Sequence, residues 1–200
     1  MDLNTILLFL ASSVVLTLSP GPDILFVIST TISQGFKNGF KVSLGLCLGL
    51  IIHTFLVIQG LATLLETFPE IFRSIEILGG IYLIFIAYNN FIVDKKKENQ
   101  KRRKESYVVT GFIMNLTNPK VSLFFISFFP GFIFSSTLSL KTQFTVLGSL
   151  FIIQALIIFC LVSSISYYFG NRIKIISKLI IWNRIQAFIL VLIAAFLLYP

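Results

Sequence analysis

Leu18-Ser19-Pro20-Gly21-Pro22-Asp23 interrupts an apolar run that extends from Leu3 to about Ile32. Each proline lacks an N–H and its ring collides with the preceding turn, and Pro22 also drives Gly21 out of the α region. A regular helix cannot pass through this stretch. An aspartate follows directly, with apolar residues on both sides. In water such a break would be an ordinary loop, but inside a bilayer it survives only where protein or a polar cavity satisfies the freed backbone groups.

The surrounding chain argues for the bilayer. Of its 200 residues 56% are hydrophobic and 12% are charged, with a mean hydropathy of +0.94. That is roughly half the charged share of a soluble domain. A formal charge of +8 would suit nucleic acid if it lay on a soluble face, yet seven of the sixteen Lys and Arg fall between Lys95 and Lys104, flanked by apolar spans. The excess therefore reads as a membrane-orientation signal, with no nucleic-acid partner. Cys47 and Cys160 stand singly in apolar runs, without a C-x-x-C pair or metal partners, and read as small core residues. The N-terminus carries Asp2 in place of a basic n-region, and Pro-Gly-Pro-Asp makes a poor cleavage site, so residues 3–32 are expected in the mature fold.

Six apolar spans can be drawn, about 3–32, 40–65, 71–93, 107–134, 142–169 and 180–199, each near the roughly 20 residues a bilayer crossing needs. In the sixth, Asn183, Arg184 and Gln186 interrupt the start, and Trp182 and Arg184 suit an interfacial entry. The loops after spans one, three and five hold thirteen Lys and Arg, against Arg73 and Lys141 in the other two. By the positive-inside rule the basic loops face the cytoplasm and both termini face outside. The expected fold is thus an all-α polytopic membrane protein, a single membrane domain over 1–200. Residues 94–106 form a basic cytoplasmic loop between a first half, 1–93, and a second, 107–200. This loop could also touch anionic headgroups.

Three spans per half require that any repeat be inverted in topology, a plan common among secondary transporters. The first span of each half is broken alike. Span four reads GFIMNLTNPKVSLFFISFFPGF, with Asn118-Pro119-Lys120 inside apolar sequence. Pro119, like Pro20 and Pro22, lies about a dozen residues from the cytoplasmic end of its span, or about 18–20 Å in at 1.5 Å per residue. Both breaks therefore fall near the midplane, and such paired Pro-interrupted spans point to a transporter's binding site. Gly45-x-x-x-Gly49 and Gly79-Gly80 predict close helix approach.

Within the spans the ionisable residues are Asp23, His53, Glu76 and Lys120, and buried charge in a membrane is costly enough to mark function. Each has a plainer reading. Asp23 could cap the half-helix that starts at Pro22, or bind substrate or a proton. Lys120 could form a structural ion pair with Asp23, or hold a substrate carboxylate. His53 could be an interhelical hydrogen-bonder or part of a proton relay. Glu76 suits snorkelling or pairing with Arg73. Asn115 and Asn118, three apart, are expected on one helix face, where their amides serve the broken backbone or a polar substrate.

The chain resembles the lysine-exporter (LysE-type) translocators, bacterial exporters of amino acids and related metabolites. The resemblance rests on LSPGPDILFVIS, SQGFKNGFKVSLGLCLGLIIH, ILGGIYLIFIA and GFIMNLTNPKVSLFFISFFPGF, in order, with the basic loop between the halves. Two departures stand out: many members carry an aspartate after the second glycine of GxxxG, where this chain has Leu50, and Gln186-Ala187 stands where glycine is common. Asp23 is a candidate bearer of the displaced charge. The resemblance implies a multi-pass protein of the bacterial cytoplasmic (inner) membrane, and it leaves basic, hydroxylated and branched amino acids open as substrates.

The expected function is export of an amino acid or similar metabolite, coupled to a proton or sodium gradient. The substrate site would comprise Pro20, Gly21, Pro22, Asp23, Asn115, Asn118, Pro119 and Lys120, with Asp23 and His53 coupling the ion. Its expected partners are the substrate, the ion and the lipid bilayer, with a homo-oligomer left open and no cofactor or metal. ATP is not the direct driver unless a partner supplies it, since no Walker A sequence is present. A passive channel or anchor subunit is the rival reading. An intramembrane enzyme lacks its parts, with one histidine, no H-E-x-x-H and no close acidic pair.

Overall fold

A computed structural model describes residues 2–19, 21–92 and 106–169, together with positions 184, 187, 188, 191, 192, 194, 195 and 198. Pro20, nearly all of the basic loop, most of the expected sixth span and the Glu76 side chain lie outside the described residues. The described chain is all-helical, without strands. Its helices are α1 (Leu3–Leu18), α2 (Pro22–Gln34), α3 (Phe36–Leu56), α4 (Ala62–Thr67), α5 (Phe72–Ile92), α6 (Tyr107–Leu116), α7 (Pro119–Phe128) and α8 (Leu140–Phe169). A π turn, Val57–Leu61, runs α3 into α4 as one rod of 32 residues, Phe36–Thr67.

Among the described residues two helical stretches are long and apolar enough to cross a bilayer, Phe36–Thr67 and Leu140–Phe169, and α1 with α2 makes a third if counted as one span. The faces of α8 show which side meets lipid. Ile153, Ile157, Leu161 and Ile165, four apart, are all more than half exposed, whereas Gln143, Gln154, Ser163 and Ser166 are buried. A soluble helix would reverse this arrangement.

The helix ends follow local chemistry. Asp2 caps α1, accepting from the Asn4 N–H at 3.0 Å and from the Thr5 hydroxyl, and the Thr5 bond chiefly holds its carboxyl below the usual range. Pro22 and Pro119 each occupy the first turn of a helix, where a missing N–H costs nothing. Gly35, with φ at 83°, turns α2 into α3 through a conformation that side chains disfavour.

Glycines set the tightest packing. A Cβ on Gly45 would strike the Val108 carbonyl, and one on Gly111 would strike that of Val42, so α3 and α6 meet backbone to backbone. A Cβ on Gly80 would fall 2.6 Å from Leu198 Cγ, which accounts for small residues at that point of α5. Toward the α1 N-terminus the core is phenylalanine. Phe9 packs on Phe128, Phe129 and Phe132 at centroid separations of 5.6–5.7 Å.

Candidate functional site

The site lies where α1 stops and α2 starts, facing the place where α6 stops and α7 starts. α1 ends at Leu18, α2 begins at Pro22, and their axes differ by 57°. Gly21 is the N-cap of α2 and has no side chain to cap with, while Asp23 stands in the first turn with its carboxylate directed elsewhere. One oxygen accepts from Asn115 Nδ2 at 3.1 Å and the other from Asn118 Nδ2 at 3.0 Å. Asp23 thus joins the two breaks rather than capping its own helix.

The expectation that Asn115 and Asn118 share a helix face needs correcting. Asn115 belongs to the last turn of α6, whereas Asn118 is the N-cap of α7, its Oδ1 accepting from the Lys120 N–H at 3.1 Å. Pro119 ends one helix and starts the next, so two separate helices bring the amides to one carboxylate. Asn118 serves both functions at once through the two ends of its amide. Asn115 is seated by Gly49, since a Cβ there would come within 2.7 Å of the Asn115 Cβ.

His53 is buried and reaches the site through Asn115, whose backbone carbonyl lies 3.3 Å from Nε2. A carbonyl only accepts, so Nε2 carries the proton in this bond. The ring also tilts against Phe125 at 5.7 Å. This geometry fits the interhelical role weighed for histidine, and it supplies a partner to a carbonyl at the end of α6.

Lys120 is half-buried and shares a cavity with Asp23. Its Nζ lies 3.7 Å from where a Gly21 Cβ would stand. The hydrogen bonds of the Asp23 carboxylate come from the two amides, not from this ammonium. The cavity has about 430 Å³ of empty space, its opening included. Gly21, Asp23, Asn115, Asn118 and Lys120 of the expected site line it, whereas Pro22 and His53 stand outside its wall. Pro20 is not among the described residues, and Pro119 is described only as the start of α7.

The structure adds residues that were not part of the expected site. Thr17 and Ser19 line the cavity from the end of α1. Thr17 accepts from Gln154 Nε2 at 2.9 Å, and among the described residues the buried hydroxyl of Ser19 has no partner, nor has Oδ1 of Asn115. Leu16, Ile24, Leu50, Phe151, Ala155 and Phe159 supply an apolar wall. Ser19 could have been found from its place beside the break. The α8 residues carry no such signal.

A helical bundle with apolar faces turned outward, and a carboxylate and an ammonium in one inner cavity, has the build of a membrane translocator. The LysE type translocator family matches residues 14–200, nearly the whole chain, and the chain belongs to that family. It is therefore a membrane protein of transport, not an enzyme. Curated relatives include the leucine efflux protein of Enterobacter sp. (strain 638), 32% identical over 139 residues, which are 67% of this chain and 66% of that protein. The leucine efflux protein of Klebsiella pneumoniae is 33% identical over 64% of this chain and 62% of its own length. That of Salmonella typhimurium (strain LT2) is 29% identical over 84% and 83%. No solved structure matches the chain.

Proposed function

We propose that the chain is a secondary transporter that exports an apolar amino acid, leucine or a close analogue, across the cytoplasmic membrane. One observation carries this reading. The cavity is lined both by polar side chains, Asp23, Asn118 and Lys120, and by apolar ones, Leu16, Ile24 and Phe151. An aliphatic α-amino acid carries the same two kinds of group. The name of the curated relatives, leucine efflux protein, supports the branched class among those the sequence left open.

In this mechanism Lys120 and the N-termini of α2 and α7 receive the substrate carboxylate, where the helix dipoles favour an anion. Asp23 receives the ammonium group. A proton arriving from outside neutralises Asp23, weakens that hold and releases the substrate. His53, bound to the carbonyl of Asn115, links α3 to this step. A sodium ion taking the proton's place is the alternative coupling.

The architecture that goes with this function has six spans in two inverted halves, 1–93 and 107–200. α1 with α2, and α6 with α7, form the broken first span of each half. The basic loops face the cytoplasm and both termini face outside.

Efflux of labelled leucine from liposomes, under imposed proton or sodium gradients, tests the reading. Saturable, gradient-dependent efflux is expected, with most of the rate lost in Asp23→Asn and Lys120→Ala. Flux that rises linearly with substrate would favour a passive channel. Unchanged rates and pH dependence in both variants would sink the binding mechanism.

A further inference from the structure

The apolar wall changes in bulk along α8. Phe151, Ala155 and Phe159 are spaced by four on α8, so they lie along one face, and all three line the cavity. Across about 12 Å of helix, therefore, two large rings flank a single methyl group. Phe151 cannot readily swing aside to change that shape. Its ring is held by Phe125 at 5.1 Å, Phe124 at 5.5 Å and Phe9 at 6.5 Å. Phe9, Phe124 and Phe125 are themselves almost fully buried. α8 packs against α1, α2 and α3, and Phe151, Ala155 and Phe159 line the same cavity as Thr17, Ser19 and Asp23.

We infer that Ala155 is the specificity-determining residue of the transporter: the notch between Phe151 and Phe159 receives the side chain of the amino acid and sets the largest that fits. This deepens the reading of the cavity as an amino-acid site and rests on it. The polar end, common to all amino acids, fixes the backbone of the substrate, and its side chain is left to reach the α8 wall. Ala155 is the smallest side chain of the apolar wall. A bulkier residue has the cavity as its own space and would occupy the volume the substrate needs, while glycine would deepen the notch.

The test is competition by L-alanine, L-valine, L-leucine and L-phenylalanine against labelled leucine and labelled alanine in liposomes holding wild type, Ala155→Val or Ala155→Gly. One methyl-sized group in an apolar pocket changes selectivity by about tenfold or more. Ala155→Val should move the leucine-to-alanine preference about tenfold toward alanine, and Ala155→Gly should move preference toward phenylalanine. The glycine variant adds no bulk, so it reads the notch even if valine disturbs helix packing. Transport by both variants with the wild-type order of preference would overturn the role of Ala155 alone. Wild-type protein that carries none of the four amino acids would overturn the amino-acid site itself.

Discussion

Asn118 holds Asp23 across the molecule, its Nδ2 donating to the carboxylate at 3.0 Å while its own Oδ1 caps the Lys120 N–H at 3.1 Å. One side chain thereby fixes the start of α7 and orients an acid on α2. The two tasks use opposite ends of the amide, so they can be separated. Asn118→Asp keeps an acceptor for the cap but replaces the donor with a second carboxylate facing Asp23. The expected result is a folded protein with transport largely lost. Asn118→Ala loses the cap as well and should be less stable by about 1–2 kcal/mol. Thermal unfolding in detergent, set beside leucine efflux, reads the two effects independently.

Asp23 and Lys120 line one cavity, yet the carboxylate takes its hydrogen bonds from amides. If the two charges hold opposite ends of one substrate, removing either already forfeits the bound geometry. The double variant Asp23→Asn with Lys120→Met should then transport about as poorly as the worse single variant, because residues that act as a unit are not additive. Binding assays should agree. Losses in leucine affinity that simply multiply would mean that the two residues act at separate places.

Two helix starts were legible because they are written in backbone chemistry. Pro22 and Pro119 cannot continue a helix, and the structure starts α2 and α7 at those residues. The polar residues beside them, Asp23, Asn118 and Lys120, came with the breaks. What could not be read was how helices face one another. Asn115 and Asn118 look like one helical face until Pro119 divides them, and their convergence depends on Gly49 giving α6 room. Ala155 and Phe151 are ordinary apolar residues in a long apolar helix. Only the packing of α8 on α1 and α2 turns their side toward the cavity. The six-residue helix α4 and the π turn before it were likewise not read, although Gln59 and Gly60 interrupt the apolar sequence there.

Glycines in α3 and in the π turn should respond very differently to one added methyl. A Cβ on Gly45 meets the backbone of α6, including the Phe112 nitrogen at 2.8 Å, which cannot move unless the helix moves with it. Gly60 has nothing within 4 Å of the same position. Gly45→Ala should cost about 1–3 kcal/mol, the usual range for overpacking, and Gly60→Ala should be close to neutral. Equal unfolding temperatures for the two variants would contradict the α3–α6 backbone contact.

Gln143 secures the connection into α8. The side chain is 1% exposed, and its Oε1 accepts from the N–H groups of Phe134 at 2.8 Å and Ser135 at 3.0 Å. Its Nε2 donates to the carbonyls of Ser135 at 2.9 Å and Leu138 at 2.8 Å. The Phe134 carbonyl in turn accepts from the Asp2 N–H at 2.8 Å, which ties the start of α1 to the same loop. Gln143→Leu fills the space but strands these backbone groups, at about 1–3 kcal/mol for each that stays buried and unpaired. The loss should exceed about 2 kcal/mol in total on that scale. Gln143→Glu keeps the acceptor and loses the two donor bonds, so it should fall between Gln143→Leu and the wild type. Amide exchange at Phe134 and Ser135 checks the cause directly, since both groups should exchange faster in Gln143→Leu. Protection equal to the wild type at both positions would remove Gln143 as the clamp on this loop, whatever happened to overall stability.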